Sequence, residues 1–481
     1  MTGPMRRTWG GVAKRVTGAW PPAAGWRATG RKAAATLAVA VALATASAPA
    51  AAQGRDSIPG VALGLLYATS SVPALAVKPF TGRFGGAAIA SQVEAIIGRD
   101  LHNSDRFDVM DSLPADMAGG GQVDYQLWDH LGAVWLVTGQ VEGAGDGFEL
   151  VTELHDVVYE HVKEQGRFPI PDPSQPGFRM AVHRVSDQIV KWVTGDPGVA
   201  ATRIAFAMAT SDSTKQLYLV DSDGENLRRI TNDPGLDLSP AWSPSGDSIA
   251  YGSIRGTTPS RIYMLDLATG KESMVPPVGH DAMETTPAFS PDGHTLAFTV
   301  DNGRTSRIYT YDLQHKCCAK AITDGRYYDL APTYSPDGKR IAFNTMRFGT
   351  TVPQIMVMPA DGGEAQLLSP YQYGNGGYYT SPDWSPRGDL IAFHGAIRAG
   401  TYHILVADMK DAGHKLRQLT WEGNNEDPSW APDGRHIAFV GERRWGFGLM
   451  VVDVATGRLR TVVAGMRVST PAWSPSLGGA P

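Results

Sequence analysis

An α/β domain followed by an all-β, six-bladed β-propeller, closed by its own C-terminal strand, is the fold class the sequence predicts. Three observations predict it. A six-residue phrase of the type Ser-Pro-Ala-Trp-Ser-Pro occurs six times between Ser239 and Pro475. Each copy opens a fixed order of strand and turn signals. The sets at the two ends of the repeat region are incomplete in complementary ways.

The copies are Ser239 to Pro244, Thr286 to Pro291, Ala331 to Pro336, Ser381 to Pro386, Asp427 to Pro432 and Thr470 to Pro475, centred on Trp242, Phe289, Tyr334, Trp384, Trp430 and Trp473. Their spacing falls in the range of propeller blades. Ser-Pro-Asp-Gly or a close variant follows the aromatic residue, where Pro presets φ for a type I turn and Gly takes the left-handed position of a bulged hairpin. A short buried strand comes next: Ile249 to Tyr251, Leu296 to Phe298, Ile341 to Phe343, Ile391 to Phe393 and Ile437 to Phe439. Alternating runs such as Arg261 to Asp266 and His403 to Asp408 read as a third strand, and turns such as Ala268-Thr-Gly270 lead to a fourth. Four strands make one blade. The last aromatic copy has no such partner after it, whereas Thr202 to Phe206, Gln216 to Asp221 and Leu227 to Thr231 precede the first copy. The C-terminal strand therefore completes the blade begun near Thr202, leaving no open sheet edge.

Upstream, residues 72–198 mix strands and helices without the repeat and form a separate α/β domain. Ala74 to Phe80 reads as a strand, Ala88 to Leu101 as a helix, and Ala133 to Gly139 and Phe148 to Leu154 as paired strands. A helix over about 177–194 places Val182, Val185, Ile189 and Val193 on one stripe. The propeller occupies 199–481. Residues 1–52 read as a secretory signal with an extended leader: Arg31-Lys32, the small apolar run Ala33 to Ala46, then Ala50-Ala-Ala52. Arg6-Arg7 is a weak match to twin-arginine export. A mature tail, 53–71, follows.

Net charge is −5, spread along the chain, so there is no basic footprint for nucleic acid and no polybasic membrane patch. No segment beyond Gln53 has the length and apolarity of a membrane span. Cys317 and Cys318, the two cysteines, fall between two blade strands and read as a turn. Either they are surface thiols or a pair of little structural weight, since a bridge between neighbours closes almost no chain entropy, or they join His315 in a redox or metal role.

The blades, the mixed domain before them and the junction from Ala181-Val-His-Arg-Val-Ser-Asp-Gln-Ile-Val190 to Thr202-Arg-Ile-Ala-Phe206 resemble the TolB family of the Tol-Pal system over roughly 72–476. The resemblance implies a periplasmic, non-enzymatic scaffold without cofactors. It would bind the lipoprotein Pal through the propeller and TolA and other Tol proteins through its N-terminal region, supporting outer-membrane integrity and invagination in cell division. A monomer is expected. In that family the mature tail carries partner contacts, and 53–71 differs from it in sequence.

In a propeller, the loops leading into each innermost strand and those joining the second and third strands crowd onto one face. The lead-in segments here are Gly279 to Thr286, Gly325 to Ala331, Gly376 to Ser381 and Gly423 to Asp427. They are rich in Tyr and short polar side chains, the chemistry of adaptable protein recognition. The candidate contact residues are His280, Asp281, Glu284, Thr285, Thr286, Arg326, Tyr327, Tyr328, Asp329, Tyr378, Tyr379, Asn424, Asn425 and Glu426. In the resembled family this face receives Pal.

Two other classes compete. A propeller hydrolase or lactonase-like enzyme would use an axial metal, and Asp237, Asp329 and Asp427 lie where loops converge; solvated loop acids are the plainer account. The sequence holds no Gly-x-Ser-x-Gly, no Walker loop and no His-Glu-x-x-His. A generic exported scaffold is the third class, because the fold alone licenses only a binding platform.

Overall fold

The computed structural model describes residues 72–111, 122–348, 352–370, 377–396, 400–411 and 416–478. The expected signal segment 1–52, the tail 53–71 and Gly376 lie outside the described residues.

The first part is an α/β unit of β1 (Ala74–Val77), β2 (Thr81–Arg83), α1 (Ala87–Asn103), β3 (Asp108–Met110), α2 (Tyr125–His130), β4 (Trp135–Ala144), β5 (Gly147–Asp156), β6 (His161–Pro171) and α3 (Phe178–Thr194). Its sheet runs β3-β1-β4-β5-β6, with β2 also on β4. The β1–β3 and β1–β4 pairs are parallel, and the β4–β5 and β5–β6 pairs antiparallel. Helices α1 and α3 supply Val93, Ile97, Leu101, Val182, Val185 and Ile189 to one core with Leu75, Val137 and Leu154. Full burial of one such aliphatic side chain stabilises by about 1.5–3 kcal/mol, which is why the predicted stripe fixes the helix orientation. Val193 is only partly buried at the edge of that core. Gly139 lies under the Phe80 ring, where a Cβ would come within 2.4 Å of the ring, so no larger residue fits. Strand β6 and the short elements β2, β3 and α2 were not read from the sequence.

Among the described residues from Arg203 onward, every element is a strand apart from one short 3₁₀ turn. Among the described residues, four classes of strand recur. The inner strands are Leu236–Trp242, Met283–Phe289, Asp329–Tyr334, Tyr378–Trp384, Asn425–Trp430 and Val468–Trp473. The second strands carry the Ile-Ala-Phe signal, and Phe206, Tyr251, Phe298, Phe343, Phe393 and Phe439 are all fully buried on them. Third and outer strands complete each sheet antiparallel to its neighbour. The C-terminal inner strand Val468–Trp473 pairs with the second strand Arg203–Ala209, Trp473 lying opposite Ile204.

The turn chemistry follows the sequence. Gly246, Gly293, Gly338, Gly388 and Gly434 donate from N–H to the carbonyl three residues earlier at 2.8–3.0 Å, each at positive φ. Cys317 and Cys318 are joined by a disulfide and begin the outer strand Cys317–Ala321, so the turn expected for them ends one residue earlier.

The α/β unit rests against the end of the propeller that carries these hairpins. Arg387 pairs with Asp196 at 3.1 Å, and Arg435 donates to the Asp105 carbonyl at 2.8 Å. Arg99 pairs with Glu225 at 2.9 Å, and Arg179 pairs with Asp223. At the junction Asp187 accepts from Ala200 N–H at 2.7 Å and Ala201 N–H at 2.9 Å. The opposite end, where the lead-in loops converge, is left uncovered by this unit.

Candidate partner-binding face

The repeated phrase lines a central cavity of roughly 440 Å³. Its first residue, Ser239, Thr286, Ala331, Ser381, Asp427 or Thr470, has φ between 47° and 52° in every copy. Each inner strand shifts register there against its second strand. Such a bulge turns an unpaired backbone toward the axis, and neighbouring copies satisfy it. Ser239 N–H donates to Thr470 Oγ1 at 3.1 Å, Thr470 N–H to Asp427 Oδ2 at 3.3 Å, and Ser381 Oγ to Asp427 Oδ1 at 3.0 Å.

The aromatic residues add a second tier. Trp242 Nε1 donates to the Ala472 carbonyl at 3.0 Å, and Trp430 Nε1 to the Asp383 carbonyl at 3.1 Å. Asp383 Oδ2 accepts from Trp430 N–H at 2.7 Å, and burial pushes its carboxyl up to about 6. Adjacent inner strands share no ladder, so these bonds join them.

The candidate residues divide into two groups. His280 and Asp281 are almost fully exposed and contact each other at 2.8 Å, on a loop pinned where Arg261 donates to the His280 carbonyl at 2.5 Å. Arg326 is exposed beside Asp324, Tyr328 is exposed, and Tyr327 is half-buried with the Arg347 guanidinium 5.8 Å from its ring. Tyr378 is half-buried against Tyr402, with ring centroids 5.3 Å apart. Asn424 donates to Glu442 at 2.8 Å. Glu426 is half-buried, and burial, then Asp427 and Glu442, hold its carboxyl above the usual range. Thr285 and Thr286 are also half-buried, and Thr286 Oγ1 meets Thr299 Oγ1 at 2.7 Å.

Glu284, Asp329, Tyr379 and Asn425 correct the expectation of a uniform contact loop: they lie on inner strands and are fully buried. All four stand five residues before the aromatic, as do Asp237 and Val468, which are buried too. Glu284 accepts from Val278 N–H at 2.7 Å. Asp329 accepts from Thr345 Oγ1 at 2.5 Å and from Arg347 at 2.8 Å. Tyr379 packs edge-on to Phe393. Asn425 donates to the Glu422 and Gly423 carbonyls and accepts from Arg443 at 3.1 Å. Glu284 and Asn425 tie their lead-in loops to the strand, and burial keeps all of these side chains from a partner's reach.

Sequence reading missed other residues at this end. Trp421, Trp445 and Met466 are large exposed apolar side chains on its loops. His394 is buried beneath Asp427, accepts from its N–H at 3.0 Å, and is held below the usual imidazole range by burial, against the pull of Asp427. The exposed tryptophans had a signal, being aromatic residues off the repeat register; His394 had none, since it occupies an ordinary second-strand position.

The exposed candidate residues thus stand on loops at one end of the propeller, and the repeated phrases line the cavity. Nucleophilic catalysis is not arranged there by Ser381, Asp427 and His394: the carboxylate stands between hydroxyl and imidazole, an order that cannot pass the serine proton to the histidine.

Residues 190–477 match the TolB beta propeller domain family, and residues 68–162 the TolB amino-terminal domain family. The chain is 31% identical over 405 residues to the Tol-Pal system protein TolB of Gluconobacter oxydans, covering 82% of this chain and 85% of that one. It is 33% identical over 228 residues to the protein of the same description from Albidiferax ferrireducens, covering 47% of this chain and 50% of that one. The crystal structure of TolB from Acinetobacter baumannii superposes with a TM-score of 0.73 at 26% identity, over 84% of this chain and 97% of that chain. The chain belongs to the TolB family.

Proposed function

We propose that this protein is a periplasmic, protein-binding scaffold of the Tol-Pal system whose uncovered propeller end receives a Pal-type lipoprotein. Its relatives carry the description Tol-Pal system protein, and a member of that family is not an enzyme. No helix among the described residues is long and apolar enough to cross a membrane. In the same reading the N-terminal region couples to TolA and other Tol proteins, and the assembly serves outer-membrane integrity and invagination during division. The signal segment 1–52 delivers the chain, residues 72–198 form the α/β domain, and 199–481 form six blades acting as one monomeric disc. The pairing of Val468–Trp473 with Arg203–Ala209 supports closure of that disc by the C-terminal strand.

The observation that carries the proposal is the division of labour between the two propeller ends. The hairpin end is engaged by the α/β unit, while the lead-in end presents exposed His280, Asp281, Arg326 and Tyr328. Charge reversal of Asp281 and Glu426 together tests it. Calorimetric titration with the soluble domain of the cognate Pal-type lipoprotein should show affinity falling by about tenfold or more, the scale of losing a contact of ~1.4 kcal/mol. Unchanged affinity contradicts the assignment.

A further inference from the structure

Two fully buried histidines stand at the docked end of the propeller, one contributed by each domain. His183, on α3, places Nδ1 2.7 Å from Asp100 Oδ2 of its own domain and Nε2 4.0 Å from Asp221 Oδ2 of the propeller. His436, on a propeller second strand, repeats the arrangement with the domains exchanged. Its Nδ1 lies 2.7 Å from Asp433 Oδ2 of its own hairpin, and its Nε2 lies 3.4 Å from Asp105 Oδ2, just beyond α1. A neutral imidazole has one N–H, so it can serve one of these carboxylates and must turn a lone pair toward the other. An imidazolium turns an N–H toward both; the Nδ1 contact is the hydrogen bond, and the contact across the domains, where neither Nε2 is hydrogen-bonded, is electrostatic.

We propose that this interface is a proton-gated latch: the His183 and His436 imidazolium groups each bridge the two domains through a pair of carboxylates, and loss of their protons loosens the docking.

The surrounding charges are set for that state. Facing His183, Arg179 and Arg99 pair with Asp223, Arg203 pairs with Asp221, and Ser186 donates to Asp100. The half-buried Arg460 stands near Asp105, Asp223 and Asp100. Facing His436, Arg435 holds Asp453 at 2.7 Å, Arg458 lies 3.9 Å from Asp105, and Arg106 and Arg387 share Asp196. Burial opposes the charge on each ring, and the facing carboxylates outweigh it. Asp100, Asp223 and Asp221 raise His183, and Asp433, Asp105 and Asp453 raise His436 to about 9. Asp187 at the junction is also pushed up, by burial, to about 7. Asp223, Asp221 and Asp105 supply the part of the histidine shifts that crosses the domain boundary, and each of the raised groups binds its proton more tightly in the folded protein than as a free side chain. The stability they add is complete below their ordinary values and is lost as pH rises through the raised ones. Asp100, His183 and Asp223 also have the composition of a metal site. Arg179 and Arg99 already neutralise Asp223, and the proton on His183 supplies the remaining cation.

Hydrogen exchange of the full mature chain, corrected for intrinsic rates, tests the latch alongside a ¹³C-histidine titration. Between pH 7 and pH 10, amides in the last turn of α1 and in the 431–436 hairpin should lose about tenfold in protection, while inner-strand amides keep theirs. His436→Gln should flatten that response. Asp105→Asn, made on the other domain, should do the same if the first variant folds poorly. Constant protection across this range, or a His436 ring titrating at or below about 6.5, overturns the proposal. So does Zn²⁺ that binds stoichiometrically and abolishes the His183 titration.

Discussion

The two ends of the propeller are made from the same repeats and have opposite chemistry. At the docked end, buried carboxylates are matched by cations: Asp453 by Arg435, Asp433 by His436, Asp221 by Arg203. At the uncovered end Asp329 is matched by Arg347, but Asp237 and Glu284 are buried with few partners, and the exposed His280, Asp281 and Arg326 stand on loops. Two cation-paired acids at the first end are depressed, whereas the junction Asp187, which has no such cation, is raised. Burial raises Asp433, yet His436 and neighbouring N–H donors overcome that and hold its carboxyl far below the usual range; Arg435 and His436 do the same for Asp453. Raised acids mark the second: Asp237 at about 6 by burial, with Glu284 and Glu426 also raised by burial. One repeat can thus build an inter-domain joint at one end and a loop surface at the other, because the hairpins are short and fixed while the lead-in loops vary.

The two ends can differ in this way only while the propeller holds together as one folded unit. Deletion of the chain after Gly465, which removes the strand that pairs with Arg203–Ala209 and the bond from Trp473 Nε1 to Thr202 at 2.8 Å, should abolish cooperative unfolding. A calorimetric melt of normal sharpness would break the comparison at its base. Next in size is Arg435→Ala at the docked end. It leaves Asp453 buried without its guanidinium, and urea unfolding should show a loss of about 3–5 kcal/mol.

Much of this was legible beforehand. The six aromatic residues, the Ser-Pro-Asp-Gly turns and the buried second strands announce themselves through repetition, and the pairing of the chain's end with its first propeller strand follows from two incomplete sets. The helix stripe Val182, Val185 and Ile189 was equally plain. The division within the contact segments was harder, because Asp329 and Asp281 look alike as acids in a polar stretch. Only alignment on the aromatic separates them: Asp329 stands at the buried position five residues earlier, and Asp281 stands eight residues before Phe289, outside the strand. The docked end was unreadable, since partners such as Asp105 and His436 are more than 300 residues apart and share no local pattern.

Two smaller effects sharpen the contrast. At the uncovered end, Asp281→Arg with Glu426→Arg should leave the melting curve unchanged while weakening the lipoprotein; at the docked end, Arg387→Ala should leave lipoprotein affinity within about twofold. The smallest effect is a pH dependence. Asp237 has a raised value, so its contribution is present at low pH and lost as pH rises through about 6. Wild-type protein should therefore gain slightly in urea midpoint from pH 7 to pH 5 relative to Asp237→Asn. Equal gains in both would show that Asp237 carries no such linkage.

Hydrogen exchange of the full mature chain with and without the soluble domain of its Pal-type lipoprotein tests the central claim most directly. Protection should appear at 279–286, 325–328 and 421–426, and should be absent from the hairpins that meet the α/β unit. Protection confined to those hairpins, or none at the lead-in loops despite saturating lipoprotein, would contradict it.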